Sequence, residues 1–317
     1  MRIIVGIDIS KATFDAWKSN GRSKSFPNTQ KGFTGLLHLS GNADLFAMEA
    51  TGAYHTALAD YLCEKGFRVA VVNPARASHY AKAMGSKNKT DKCDARILAQ
   101  YAERNEVPLY ERPKENYRLI KAKVRHRERL VLRMSEIRQL QKDPSVDDFE
   151  IDQLQEEWNL LSRQKKAVET ALRTSIKNDP ELRLASMRYQ TIPGVGEVVS
   201  WALLGEAGDL SRFASVKALA AFVGVQPTIR QSGSSMPPRA RMSKCGSALL
   251  RKLLYMGAIH ATKETSPFHT FYLRILIKGK CKMSAIGAVM HKMLRTAFGV
   301  HKTKTTFSFL RTPLTNS

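Results

Sequence analysis

The residues Arg2-Ile3-Ile4-Val5-Gly6-Ile7-Asp8-Ile9 constrain this chain more than any other stretch. Ile3, Ile4, Val5, Ile7 and Ile9 are β-branched, the composition of a buried central strand. Asp8 interrupts the run near its end. A carboxylate is costly to bury unpaired, so Asp8 needs a cation, a hydrogen-bond network or water at the strand's end. A strand-end Asp that caps a turn fits the same pattern. The later carboxylates weigh between these readings.

The chain continues as alternating strand and helix signals. Polar Ser10-Lys11 precedes Thr13 to Trp17, predicted to pair with the first strand as a hairpin, and Ser23 to Pro27 is a short third strand. A weak helix over 31–39 leads to Asp44–Glu49, a strand that again ends in a carboxylate. Next come an amphipathic helix over 54–65, a strand over 67–72 stopped by Asn73-Pro74, and a helix over 75–84. Thr90 reads as the N-cap of a helix from Asp91 to Glu103. The order β-β-β-α-β-α-β-α-α predicts a mixed sheet with helices packed on it.

Residues 114–143 predict a charged helix with a thin apolar stripe, ended by Asp143-Pro144. After an acidic turn (Asp147, Asp148, Glu150, Asp152), a second long helix is expected from Leu154 to Ile176. Two long helices across a proline turn predict an antiparallel hairpin or coiled-coil arm, serving either as an intramolecular spacer or as a dimer or RNA contact. The remainder is predicted to be mainly α: helices over 181–189, 197–207, 214–222, 247–262, 268–277 and 283–298, interrupted by an irregular polar loop from Gln226 to Arg241. The tail from Thr303 is expected to be partly disordered. The domains expected are 1–108, the arm 109–179, the helical domain 180–302 and the tail 303–317.

Charge indicates the partner. Lys and Arg outnumber Asp and Glu by 51 to 28 in 317 residues, a net charge of +23, which points to a polyanion. The stretch after residue 179 holds 20 basic and 5 acidic residues, so nucleic acid is expected mainly against the last third. The scattered Cys63, Cys93, Cys245 and Cys281 fit free thiols in a reducing cytosol and no zinc or disulfide framework. No signal peptide is expected, and no apolar run approaches the roughly 20 residues that span a membrane. The expected localisation is cytoplasmic and nucleoid-associated.

Four carboxylates carry the chemical signal. Asp8 and Glu49 end two apolar strands, and Asp91 and Asp94 project from one face of a helix's first turn. If that helix packs beside the first strand, four negative charges converge and repel unless divalent cations neutralise them. Two magnesium ions roughly 4 Å apart activate an oxygen nucleophile and stabilise the leaving oxygen at a phosphodiester. Asp91 and Asp94 equally suit simple stabilisation of the helix dipole. Asp15, Asp44 and Asp60 lie outside the pattern and read as solvated.

Two loops complete the candidates. In Pro193-Gly194-Val195-Gly196 the glycines let backbone N–H groups approach a phosphate, as in a helix-hairpin-helix element, or simply make a tight turn. Gln231-Ser232-Gly233-Ser234-Ser235, with Arg239, Arg241 and Lys244 beyond it, could set a hydroxyl against a phosphate held by basic side chains. A flexible Ser/Gly loop has the same composition. The residues alone do not choose Ser232 over Ser234, Ser235 or Ser243.

Gly6-Ile7-Asp8, Met48-Glu49-Ala50-Thr51-Gly52, Asn88-Lys89-Thr90-Asp91-Lys92-Cys93-Asp94-Ala95-Arg96, Ile192-Pro193-Gly194-Val195-Gly196 and Gln231-Ser232-Gly233 stand in the order and spacing of one family. Over nearly its whole length the chain resembles the DEDD transposases of the insertion-sequence one-ten family and is similar to the Piv DNA invertases. The resemblance implies a RuvC-like, RNase H-like α/β domain whose Asp8, Glu49, Asp91 and Asp94 bind two magnesium ions, with manganese as a substitute. It implies a coiled-coil arm that supports assembly, and a helical transposase domain whose Ser232 joins covalently to a DNA phosphate. Lys89, Gly194, Gly196, Arg239, Arg241 and Lys244 would contact nucleic acid. Donor and target DNA, a structured non-coding bridge RNA, and a homodimer that becomes a tetramer in the synaptic complex are the implied partners; no membrane is.

Three other classes compete. A RuvC-like Holliday-junction nuclease using metal-activated water needs the four carboxylates and not Ser232. A sugar-kinase or actin-like ATPase shares the first hairpin but needs a second phosphate loop and an adenosine pocket, neither of which the chain offers. A non-catalytic nucleic-acid binder would respond to magnesium only in binding.

Overall fold

The expected hairpins form. β1 (Ile4–Ile9), β2 (Thr13–Lys18) and β3 (Ser23–Pro27) make an antiparallel meander. After α1 (Gln30–Ser40), β4 (Leu45–Glu49) returns parallel to β1; after α2 (Tyr54–Glu64), β5 (Val69–Val72) lies parallel to β4. The result is a mixed five-stranded sheet of order β3-β2-β1-β4-β5, with β1 at its centre. α3 (Pro74–Ala83) starts at a proline, with the Asn73 side chain accepting a hydrogen bond from the Ala75 N–H, and α4 (Asp91–Arg104) follows. The computed structural model describes residues 2–50, 52, 54–84, 91–228 and 241–308, without the side chains of 91–93 and 241. These fall into two compact units, Met1–Arg112 and Pro113–Ser317.

Alternation along the strands sorts the first unit into two layers. Val5, Ile7 and Ile9 face one way with Phe46 and Met48, buried with Phe33 and Leu36 of α1 and Leu58 and Leu62 of α2. Ile4 faces the other way with Leu45, Ala47 and Ala70, packed with Ala99 and Ala102 of α4. The α4 side is lined by small residues, so the helix comes very close to the sheet.

The second unit opens with α5 (Glu115–Leu140) and α6 (Asp148–Asn178). Lys123 meets Ser175, Arg127 meets Glu169 and Gln141 meets Gln155, so the helices run antiparallel. Leu130, Met134, Ile137 and Leu161 form a small core towards the turn. At the other end Tyr117, Ile120, Val124, Leu172 and Ile176 belong to the main core of the helices that follow. α6 starts earlier than the expected Leu154. Asp147 caps it by accepting from the Glu150 N–H, and Asp148 and Glu150 suit the positive end of the helix dipole. The acidic stretch is thus a helix start rather than a turn.

The remaining helices are α7 (Pro180–Gln190), α8 (Glu197–Ala202), α9 (Val216–Val223), α10 (Ala248–Ala261), α11 (His269–Ile277) and α12 (Lys282–Thr303). The helix expected over 197–207 widens into a π turn at Leu203–Ala207. The ends of the polar loop pair as a short ribbon, β6 (Pro227–Thr228) with β7 (Arg241–Met242). Of the tail, residues 303–308 are described: the Phe307 N–H donates to Thr191 Oγ1 at 2.8 Å, and its ring meets Phe268 edge-on; the rest of the stretch expected to be partly disordered lies outside the described residues. Among the described residues no helix is long and apolar enough to cross a membrane.

Candidate active site and nucleic-acid contacts

Strand register places the first two carboxylates. Ile7 of β1 pairs with Met48 of β4, so one residue further along Asp8 lies beside Glu49. Both fall on the face that carries Ile4 and Ala47, the face covered by α4. Both are half-buried. Gly6 sets how close α4 comes: a Cβ there would meet the Ala95 carbonyl oxygen at 1.9 Å and the Ala99 nitrogen at 2.7 Å. Ile4 packs near Ala99 and Ala102 and Gly6 near Ala95, so α4 runs antiparallel to β1. Its first turn, where Asp91 begins the helix and half-buried Asp94 follows, therefore lies towards the Asp8 end of the strand. The Asp91 side chain lies outside the described residues.

The strand pairing adds a carboxylate that the sequence reading left in solvent. Asp15 is the cross-strand partner of Asp8, on the same face and half-buried. Directly opposed like charges disfavour a sheet. A register counted from a two-residue Ser10–Lys11 turn would set Asp8 opposite Thr13; the hairpin instead pairs Ile9 with Phe14, and the longer connection over 10–13 brings Asp15 opposite Asp8. Asp60 is also not a solvated acid: it is 7% exposed and accepts a hydrogen bond from the Tyr110 hydroxyl at 2.9 Å. Asp44 is exposed and accepts from the Ile3 N–H at 2.6 Å.

The donor set on the α4 face is all carboxylate oxygen, the ligand type that magnesium and manganese prefer over thiolate. Its chemistry fits a divalent cation. Among the described residues, which do not include the Asp91 side chain, no three His, Cys, Asp or Glu side chains are gathered at metal-binding distance.

In the second unit the Pro193–Gly196 turn separates two jobs. Gly194 has φ +81°, and a Cβ on it would meet the Gly257 carbonyl oxygen of α10 at 2.2 Å, so its lack of a side chain is required by packing. Gly196 precedes α8 with nothing within 4 Å of its would-be Cβ. The turn borders an open cavity of about 470 Å³ with Gln190, Thr191 and His260. Lys244, beyond β7, is exposed and holds φ 55°, an uncommon conformation for a side-chain-bearing residue. Lys89, Ser232 and Arg239 lie outside the described residues, as do Ser234 and Ser235; of Arg241 only the backbone is described.

Two buried polar clusters had no local sequence signal. Glu206, in the π turn and 6% exposed, receives Arg125 at 2.7 and 3.1 Å and the Ser247 hydroxyl at 3.1 Å. Burial would raise its pKa, but the hydrogen bond and charge of Arg125, with Lys121 and Ser247, outweigh burial and hold it below the usual value. Burial and the Arg125 charge in turn lower Lys121. Further on, the His301 ring bridges Tyr189 Oη at 2.8 Å and Asp209 Oδ1 at 2.9 Å. Tyr189 is fully enclosed, and burial pushes its hydroxyl pKa well up.

Comparison with known proteins agrees with this layout. Residues 5–142 match a family model described as Transposase, and residues 187–273 match one described as Transposase IS116/IS110/IS902 family. The chain is 32% identical over 308 residues to the pilin gene-inverting protein of Moraxella lacunata, covering 93% of this chain and 94% of that protein. The Moraxella bovis protein of the same name matches at 32% over equal coverage. The transposase for insertion sequence element IS1111A of Coxiella burnetii is 24% identical over 91% of this chain and 86% of its own. The first match covers both units at an identity that shows kinship, and the chain belongs to the IS110 family of transposases, enzymes of DNA recombination.

Proposed function

We propose that this transposase cuts and rejoins DNA with a divalent-cation site in an RNase H-like first unit and a serine nucleophile from the second. Asp8, Glu49, Asp91 and Asp94 would hold two magnesium ions. The observation that carries the reading is the register that sets Asp8 beside Glu49 on the face under α4. Bound there, the cations would polarise a phosphodiester and stabilise charge on its oxygens. The carboxylates would hold the ions, and the first turn of α4 would bring Asp94 to them from the helix side of the sheet.

Ser232 Oγ forms a bond to phosphorus while one ester bond to a deoxyribose oxygen breaks, and that oxygen departs with the proton. Attack by a strand-end hydroxyl on the serine phosphodiester reverses these changes and frees Ser232. Bond count is conserved, so strand exchange needs no external energy source. Arg239, Arg241 and Lys244 neutralise the phosphoryl oxygens, and Lys89 and Gly196 contact the backbone. Gly194 acts through the turn it shapes. A structured RNA selects the DNA, and the serine loop of one copy meets the carboxylates of another within a dimer that pairs into a tetramer. The excess of basic residues after residue 179 supports a polyanion on the second unit.

The test is strand exchange on a supercoiled plasmid carrying the element's ends, with the guide transcript present. Asp8→Asn and Ser232→Ala should each abolish exchange while nucleic-acid binding persists. Ser232→Ala alone should also remove the covalent protein–DNA adduct. Full cleavage by the serine variant would instead identify a junction nuclease that uses water.

A further inference from the structure

The last turn of α11 carries the most exposed large apolar side chain among the described residues. Ile277 is 85% exposed and is the final residue of the helix. Beyond it the chain turns sharply. Gly279 has φ +77°, its N–H donates to the Leu276 carbonyl at 2.8 Å, and α12 begins at Lys282. Ile277 therefore stands on a corner fixed by backbone hydrogen bonds. An Ile in a helix keeps to one χ1 rotamer, so holding it against a partner costs little entropy.

The cations around this corner have no acid to answer them. Residues 265–308 hold eight Lys and Arg and no acidic residue. Arg274, Lys278, Lys280 and Lys282 are exposed and flank Ile277 in sequence. Where the two helices pack, Lys292 lies 4.3 Å from the Phe271 ring and 5.3 Å from that of Phe268. Burial and the charges of Arg274 and Arg295 lower its pKa. Among the described residues none of these six cations is in an ion pair. Such an excess suits a polyanion, and DNA is the polyanion that enzymes of this family recombine. Phosphates satisfy the cations but not an aliphatic side chain. Base faces do: apolar wedges flanked by Lys and Arg enter between base steps and unstack them.

We infer that the α11–α12 corner grips duplex DNA by its phosphates and inserts Ile277 between two base pairs. Strand exchange requires pairs to open, and a side chain already inserted at one step makes the next opening easier. The inference rests on DNA as the substrate and on neither the carboxylates nor Ser232, so it is tested without catalysis.

The experiment measures binding of the full chain to two duplexes of one sequence, one fully paired and one with a central mismatch. A chelator is present throughout. A mismatched step is already partly unstacked, so a wedge enters it at less cost, and the wild type should prefer that duplex by about fivefold or more. A 2-aminopurine beside the mismatch should brighten on binding. Ile277→Ala should bind both duplexes equally and leave the 2-aminopurine dark, whereas Ile277→Leu should keep the preference. Lys278→Gln/Lys280→Gln should weaken binding to both and reduce the slope of log affinity against log salt by about 2. Unchanged melting curves establish that the variants are folded, and Ile277→Thr reads the same loss if the alanine variant does not fold. A wild type without preference, a preference that survives Ile277→Ala, or a lysine variant with unchanged affinity and slope would each overturn the inference. So would an Ile277→Ala variant that loses self-association while keeping the duplex preference, which would assign the corner to a second copy, or discrimination seen with RNA duplexes and not with DNA.

Discussion

The Ala95 carbonyl oxygen lies 1.9 Å from the point where a Cβ on Gly6 would stand. Only a residue without a side chain lets α4 sit this close to β1. The contact fixes the height of α4 above the face that carries Asp8 and Glu49. Gly6→Ala must therefore lift or shift the helix. It should destabilise the chain by about 1–3 kcal/mol, the usual range for overpacking. DNA cleavage should fall much further than that loss alone explains. Urea unfolding and plasmid cleavage, measured on the same preparation, check the pair of effects.

Asp15 opposes Asp8 across the hairpin. Without divalent ions, Asp15→Asn removes one of two facing negative charges. Stability should rise by about 0.2–1 kcal/mol. Urea denaturation in the presence of a chelator measures it, and a fall in stability would mean that Asp15 has an attractive partner.

Gly194 and Gly196 should respond differently to alanine. Gly194→Ala places a Cβ 2.2 Å from a backbone oxygen at φ +81°, so it should cost about 1–3 kcal/mol or more. Gly196→Ala enters open space and should cost about 1 kcal/mol or less, as a change of N-cap. If the turn holds a phosphate, Gly196→Ala weakens DNA binding in a titration while the melting curve stays close to wild type.

Glu206 should leave a mark on acid stability. Its folded pKa lies below the ordinary 4.5. Its contribution is therefore fully present above that value and is lost as pH falls through the folded pKa. Glu206→Gln should flatten this acid limb and cost about 1–3 kcal/mol at neutral pH, since a charged hydrogen bond is removed. Stability measured by urea unfolding from pH 7 downward tests both parts.

The order of elements in the first unit was legible because each rests on local chemistry. A β-branched run marks β1 and a short apolar run marks β4, and Asn73-Pro74 ends one strand and opens α3. The same local rules mislead at α6, where the acids read as a turn are the first residues of a capped helix. The placement of Asp8 and Glu49 at strand ends was also readable, since it needs only a strand's limits.

What the sequence by itself determined, then, was which segments become strand or helix and which acids end the strands, because side-chain period and turn chemistry act over a few residues. Only the tertiary structure decided that Asp15 opposes Asp8, that Tyr110 buries Asp60 and that Gly194 must make room for Gly257. It likewise joined Arg125 to Glu206, 81 residues away. Such partners are selected by register and by packing between distant elements, and no short window of residues carries that information.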